Sequence, residues 1–172
     1  MAGSLAFPPE FHIGVPRWLN LVALLGSYGF TQMLASERHA LVNHKWALWF
    51  MNVVPVRILV RGEPATAQGL VVANHTSWLD PIVLAHQEPL RFVTSSDTAE
   101  HRFLGWISRL AGCHFVSRKA WTLPEELKAL QKGLDNLGRF ALFPEATSSN
   151  GETILPFRPS LFEIAMRAQV PV

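Results

Sequence analysis

The chain has 172 residues, enough for one domain with a real core and short for two. Hydrophobic residues make up 49% and charged residues only 16%, against about 25% charged in an average soluble domain. A net charge of +2 excludes a nucleic-acid-binding signature, and the one cysteine, Cys113, excludes an internal disulfide framework.

Residues 1–14 (MAGSLAFPPEFHIG) carry Pro8, Pro9 and Glu10 but no basic region, so they do not read as a cleaved signal peptide. Residues 18–36 (WLNLVALLGSYGFTQMLAS) are uncharged, with Arg17 before them and Glu37 and Arg38 after. A run of about 20 apolar residues can span a bilayer. Here Asn20, Ser27, Thr31 and Gln32 dilute it, so a buried or half-inserted helix competes with a spanning one. Residues 46–56 (WALWFMNVVPV) are too few to span. Their tryptophans, with Lys45 and Arg57 at the ends, suit a helix lying in the interface. Between the two runs, Arg38, His39, His44 and Lys45 form a basic linker placed to meet anionic head groups. The alternative is a pair of core helices in a soluble protein. The expectation is a membrane-associating helical segment over residues 1–55.

After Pro55 short β-rich runs alternate with helical ones. Strands are expected at residues 57–61 (RILVR), 69–73 (GLVVA), 90–94 (LRFVT), 114–117 (HFVS) and 139–143 (RFALF). Helices are expected at residues 79–86, 103–111, 124–137 and 159–169. The third is the best delimited, with Thr122 to cap it, Pro124 in its first turn and Gly138 past its end. This alternation implies an α/β domain over residues 56–172, a largely parallel sheet flanked by helices. In such sheets ligands bind beyond the carboxyl ends of the strands. The sequence stops at Val170-Pro171-Val172, where a strand is due, and so reads as incomplete at its C-terminus.

The stretch Asn74-His75-Thr76-Ser77-Trp78-Leu79-Asp80 follows one of these strands. His75 falls at the strand's carboxyl end, and Asp80-Pro81 opens a helix. The turn between is long enough to fold Asp80 back onto the imidazole. A carboxylate on one ring nitrogen would leave the other as a base, the His-Asp half of a serine-protease triad. No serine is needed if the substrate brings its own hydroxyl. On spacing alone, a helix cap and a loop histidine account for the pair better than catalysis does.

Three further blocks bear on that choice. The stretch resembles the N-H-x4-D block of the glycerolipid acyltransferases, the family of lysophosphatidic acid acyltransferases. Their G-x-x-F-I-x-R block is matched by Gly112-Cys113-His114-Phe115-Val116-Ser117-Arg118. Their F-P-E-G-T-R-S block is matched in part by Phe143-Pro144-Glu145-Ala146-Thr147-Ser148-Ser149, followed by Phe157-Arg158. A last V-P-[IV] block begins at Val170. The resemblance covers residues 56 to the end, with its blocks in order, and the N-terminal apolar runs look like the family's membrane-embedding helices.

The resemblance implies that His75 and Asp80 are catalytic and that Arg118, Glu145, Thr147 and Arg158 bind substrate. Arg118 with Lys119 could instead be an exposed strand-end pair, and Thr147 a helix cap. Two departures stand out. Ala146 replaces a glycine, losing easy access to positive φ. Ser148 replaces an arginine thought to hold the acceptor's phosphate, so lyso-lipids other than lysophosphatidic acid, such as lyso-ornithine lipid or lysophosphatidylcholine, become candidates. Arg118 and Arg158 remain for an anionic head group. Cys113 reads as a small core residue. The histidines lack metal-ligand spacing, so no metal is expected.

The implied reaction is acyl transfer from acyl-CoA or acyl carrier protein, as co-substrate, to the free hydroxyl of a lyso-glycerolipid in phospholipid biosynthesis. No bound cofactor is needed, and backbone N–H groups near the strand end would stabilise the oxyanion. The partners expected are membrane lipids and the acyl donor, with no nucleic acid, at the cytoplasmic face of the inner membrane. Two other readings stand beside this one: a non-catalytic membrane-associated fragment, and a hydrolase that uses water. The absence of a G-x-S-x-G elbow speaks against a serine esterase.

Overall fold

The structure, a computed structural model, describes residues 17–35, 38–54, 56–63, 68–116, 139–162, 165–166 and 169–172. Two helices come first, α1 (Arg17–Ala35) and α2 (His39–Val53). In α2 the buried residues Ala40, Asn43, Ala47, Phe50 and Met51 recur every three or four positions, which makes one face of a helix. That face meets α3 (Asp80–Gln87): Phe50 and Met51 cluster with Leu79, Ile82 and Val83. So α2 is part of the core, while its other side exposes Leu41, Leu48 and Trp49. Helix α1 packs on α2 and leaves Val22, Leu25, Phe30, Met33 and Leu34 exposed. Among the described residues no helix is long and apolar enough to cross a membrane.

A polar network holds the two helices in register. Asn43 Oδ1 accepts from the Tyr28 hydroxyl at 2.9 Å and from Gln32 Nε2, and Asn43 Nδ2 donates to the carbonyl of Ala111 at 3.0 Å. His39 Nδ1 donates to Gln32 Oε1 at 2.7 Å. Gln32 and Asn43 are both buried, where polar groups are stable only when paired. The His39 ring lies against Gly112, whose φ of +66° and lack of space for a Cβ restrict the position to glycine.

These contacts correct the reading of a basic linker. His39 is turned inward, and His44 Nδ1 lies 2.7 Å from the Ala85 carbonyl. Helix α2 begins at His39, so both histidines lie on a packed helix rather than on a connection, which leaves Arg38 and Lys45 exposed.

The sheet contains β1 (Gly69–Val72), β2 (Arg91–Ser95), β3 (His114–Val116) and β4 (Arg139–Leu142), in the order β1-β4-β2-β3 with every pairing parallel. Helices α4 (Ser96–Glu100) and α5 (Arg102–Leu110) connect β2 to β3. The period of two is clear in β1 and β4. Leu70, Phe140 and Leu142 enter a cluster with Val93, Val116 and Ala165, while Val71 and Ala141 enter another with Ala47, Ala85 and Phe92. Both faces are therefore buried, as a parallel sheet requires. Four expected strands appear within a residue of their places. Beyond β1's free side, the Leu70 N–H donates to the Pro171 carbonyl at 2.9 Å.

The fifth expected strand does not form. Residues 57–61 have no ladder partner among the described residues; Ile58 turns into the α2–α3 cluster while Leu59 and Val60 stay exposed. β-branched composition cannot make a strand without a neighbour to pair with. The helix expected at residues 124–137 lies outside the described residues. Of that expected at residues 159–169, a short 3-10 helix at Pro159–Phe162 is seen, and residues 163, 164, 167 and 168 lie outside the description.

Candidate active site

β1 and β4 are neighbours in register, Val72 beside Leu142, and each runs straight into a turn at its carboxyl end. His75 and Glu145 each lie three residues past these partners, so parallel pairing brings them to the same level. The Ala73 N–H extends the ladder by donating to the Leu142 carbonyl at 3.3 Å. The His75 N–H donates to Glu145 Oε1 at 2.9 Å. The His75 ring stacks on Phe143 with centroids 4.3 Å apart, and Phe143 stacks in turn on Phe92 at 6.4 Å.

Asp80 closes the turn from the other side. The Asp80 N–H donates to the Ser77 carbonyl at 3.1 Å, which begins α3, and Pro81 follows in its first turn. One oxygen, Oδ2, lies 2.9 Å from His75 Nδ1 and accepts from the Thr76 and Ser77 N–H groups at 2.7 and 2.8 Å. Partial burial is the largest influence on this carboxyl and pushes its pKa up. The two main-chain donors and His75 together outweigh it, and the net pKa lies below the ordinary aspartate value. An ionised Asp80 can only accept, so the proton of a neutral imidazole sits on Nδ1 and Nε2 keeps a free lone pair. The two side chains are 25% and 24% exposed, open enough for Nε2 to meet a substrate.

The main-chain donors also correct an expectation. The N–H groups of His75, Thr76 and Ser77 are committed to carboxylates, so this stretch of the strand end does not supply an oxyanion hole.

The β4 exit carries the other expected residues. Glu145 is buried, 3% exposed, and its Oε2 accepts from the Leu155 N–H at 3.2 Å. Its carboxylate therefore sits on two main-chain N–H groups. Ala146 has φ +56°, in the left-handed region where the family pattern has glycine. Thr147 and Ser148 are exposed on the same turn. Arg158 is exposed as well, and its N–H donates to the Pro144 carbonyl at 3.0 Å. The loop between returns to the site, where the Ser149 N–H donates to the His75 carbonyl at 2.8 Å. Arg118 lies outside the described residues. The structure thus brings His75, Asp80 and Glu145 together and strings Thr147 and Arg158 along the adjacent loop.

Phe143, Ser149 and Leu155 were not singled out from the sequence as parts of the site. Phe143 and Ser149 were legible only as block residues, and the contacts of Ser149 and Leu155 depend on how the loop folds back. Cys113 packs against the core cluster that holds Phe92 and Ala141, where burial pushes its thiol up to about 12, too high for a reactive thiolate. Among the described residues no group of three His, Cys, Asp or Glu side chains is placed to hold a metal ion.

The family described as Acyltransferase matches residues 57–172, which hold every element from β1 onward. The chain belongs to the acyltransferase family. It is 40% identical over 114 residues to a lyso-ornithine lipid O-acyltransferase of Rhodobacter capsulatus, covering 64% of this chain and 40% of that protein. It is 28% identical over 160 residues to a lyso-ornithine lipid O-acyltransferase of Pseudomonas aeruginosa, covering 93% of this chain and 60% of that protein. The chain therefore spans between two fifths and three fifths of these relatives' lengths. A solved structure, the 1-acyl-sn-glycerophosphate (LPA) acyltransferase PlsC of Thermotoga maritima, shares the fold with a TM-score of 0.56. That likeness covers 90% of this chain and 68% of that one at 22% identity. The expected fold, a parallel sheet flanked by helices, is the family's fold.

Proposed function

We propose that the protein moves a fatty acyl group from acyl-CoA or acyl carrier protein to the free hydroxyl of a lyso-lipid. The observation that carries this reading is the 2.9 Å contact between His75 Nδ1 and an Asp80 oxygen that also caps two main-chain donors. His75 Nε2 takes the acceptor's hydroxyl proton as its oxygen attacks the thioester carbonyl. The tetrahedral intermediate collapses, the C–S bond breaks, and the thiolate leaves with the proton His75 held. Substrate oxygen is the nucleophile throughout, so no acyl-enzyme forms. Arg118, Thr147 and Arg158 are assigned to acceptor binding, and no bound cofactor or metal takes part.

For the acceptor, lyso-ornithine lipid is placed ahead of 1-acylglycerol 3-phosphate. Ser148 stands exposed at the turn where the family pattern has its phosphate-binding arginine. The two relatives named above act on lyso-ornithine lipid by name.

The reaction is assigned to a membrane surface, the cytoplasmic face of the inner membrane, with the exposed sides of α1 and α2 turned to the lipid and the acyltransferase part beginning at residue 56. Exposed Val22, Leu25, Phe30, Met33 and Leu34 on α1 support this. So does Trp78, 69% exposed in the His75–Asp80 turn, a residue type that favours the membrane interface. Its ring meets Phe50 of α2 edge-on at 6.2 Å, which couples the helix pair to the site.

The test is an acyl-transfer assay on the full-length protein with a panel of lyso-lipids. Transfer to lyso-ornithine lipid at least about tenfold above 1-acylglycerol 3-phosphate is expected, a difference of about 1.4 kcal/mol in transition-state binding. Equal use of both would sink the acceptor assignment, and absence of transfer to every lyso-lipid would sink the reading.

A further inference from the structure

Glu145 belongs to the block expected to bind the acceptor, yet its surroundings point elsewhere. It is 3% exposed, between the exits of two adjacent strands. A carboxylate taken out of water at such a place needs donors, and it has one on each oxygen. Oε1 accepts from the His75 N–H at 2.9 Å and Oε2 from the Leu155 N–H at 3.2 Å. The first bond holds the backbone of the proposed base. The second holds the loop that starts at Ser149, whose own N–H donates to the His75 carbonyl at 2.8 Å, and ends at Arg158, whose N–H donates to the Pro144 carbonyl at 3.0 Å. With Asp80 on the ring, His75 is fixed at Nδ1, at its N–H and at its carbonyl oxygen.

We propose that Glu145 is a positioning residue: its buried carboxylate clamps the main chain of His75 to the main chain of the Ser149–Arg158 loop and so sets the distance between the base and the acceptor it serves. Glu145 does not touch the acceptor. It acts through His75 and the loop, and charge-assisted bonds to backbone N–H groups are short and directional enough to hold such a distance. A shift of about 1 Å between base and hydroxyl is enough to lower a rate by roughly a hundredfold.

The inference rests on the acyltransferase reading, and the experiment separates the two. Glu145→Gln has the same shape, but its amide nitrogen faces one of the two N–H donors, so one bond is lost. In full-length protein, with acyl-CoA and lyso-ornithine lipid, kcat should fall by roughly ten- to a hundredfold while KM for the lyso-lipid stays within about twofold. Glu145→Asp, too short to reach both donors, also loses at least one of these bonds and should lower kcat at least as far as Gln. Binding of the lyso-lipid to His75→Ala should be unchanged by adding Glu145→Gln. A raised KM with kcat retained, or weaker lyso-lipid binding in the double variant, overturns the assignment while leaving the acyltransferase reading intact. No transfer by the wild type overturns both. Amide hydrogen exchange on the wild type needs no variant that folds: the His75 and Leu155 amides should exchange slowly, and fast exchange at His75 overturns the clamp.

Discussion

The turns that leave β1 and β4 start side by side on the same edge of the sheet, and they are built in opposite ways. In the β1 turn, Asp80 takes three donors on one oxygen, and the His75 N–H and carbonyl both have partners. In the β4 turn, Glu145 is buried, but Ala146 is held in a left-handed conformation and Thr147 and Ser148 stand exposed. The first turn is organised around one imidazole orientation. The second leaves its side chains open toward whatever binds there. In the proposed reaction a single base suits many lyso-lipids, and the residues that would tell one head group from another fall on the open turn.

The largest effect should come from the closed turn. His75→Ala is expected to lower acyl transfer by roughly 10²- to 10⁴-fold, the usual contribution of a general base, with the thermal transition of the protein little changed. Near-normal transfer by that variant would break the contrast at its root. Asp80→Asn should follow closely, because an amide can also donate and no longer dictates which ring nitrogen carries the proton.

Asp80 also carries a pH dependence. Its folded pKa is below the ordinary value of about 3.9, so ionisation favours the folded turn. That contribution is complete above the ordinary value and is lost as pH falls through the lower folded one. Melting curves of wild type and Asp80→Asn should therefore converge below about pH 4, and a gap that stays constant through that range would contradict the carboxylate's role.

The open turn should respond in preference rather than in rate. Ser148→Arg is expected to shift relative kcat/KM toward 1-acylglycerol 3-phosphate by about tenfold, roughly the value of one charge-assisted contact to phosphate. An unchanged ratio would show that the turn does not read the head group. The smallest effect is conformational. Ala146→Gly relieves the left-handed strain at φ +56° but makes the unfolded chain more flexible. A net gain of up to about 1 kcal/mol in unfolding free energy is expected, and a loss of stability would show that Ala146 is not strained.

Much of this architecture was legible in the residues because it depends on local patterns. Four strands announced themselves as apolar runs of four or five, and Asp80-Pro81 announced the start of α3. The pairing of His75 with Asp80 came from a spacing that decides little alone and from three further blocks in order. What was not legible depends on neighbours in space. Residues 57–61 look like a strand, yet Ile58 finds a helix cluster instead of a ladder. His39 and His44 look like part of a basic surface, yet the partners that draw them inward, Gln32 and the Ala85 carbonyl, follow from helix packing. The bond from the His75 N–H to Glu145 was not legible, because no spacing rule reveals that β1 and β4 are adjacent. Once their register is known, the meeting of Glu145 with His75 follows by counting.

The Tyr28–Gln32–Asn43 network has a consequence for redesign. Apolar seams between helices tolerate sliding by a turn, because one aliphatic side chain replaces another at little loss. Buried amides do not, since each displaced donor or acceptor is left without a partner. A hairpin rebuilt from the apolar stripe of α2 alone would keep its grip on α3 through Phe50 and Met51. It would no longer specify where along its length α1 stops, nor anchor that hairpin to the carbonyl of Ala111.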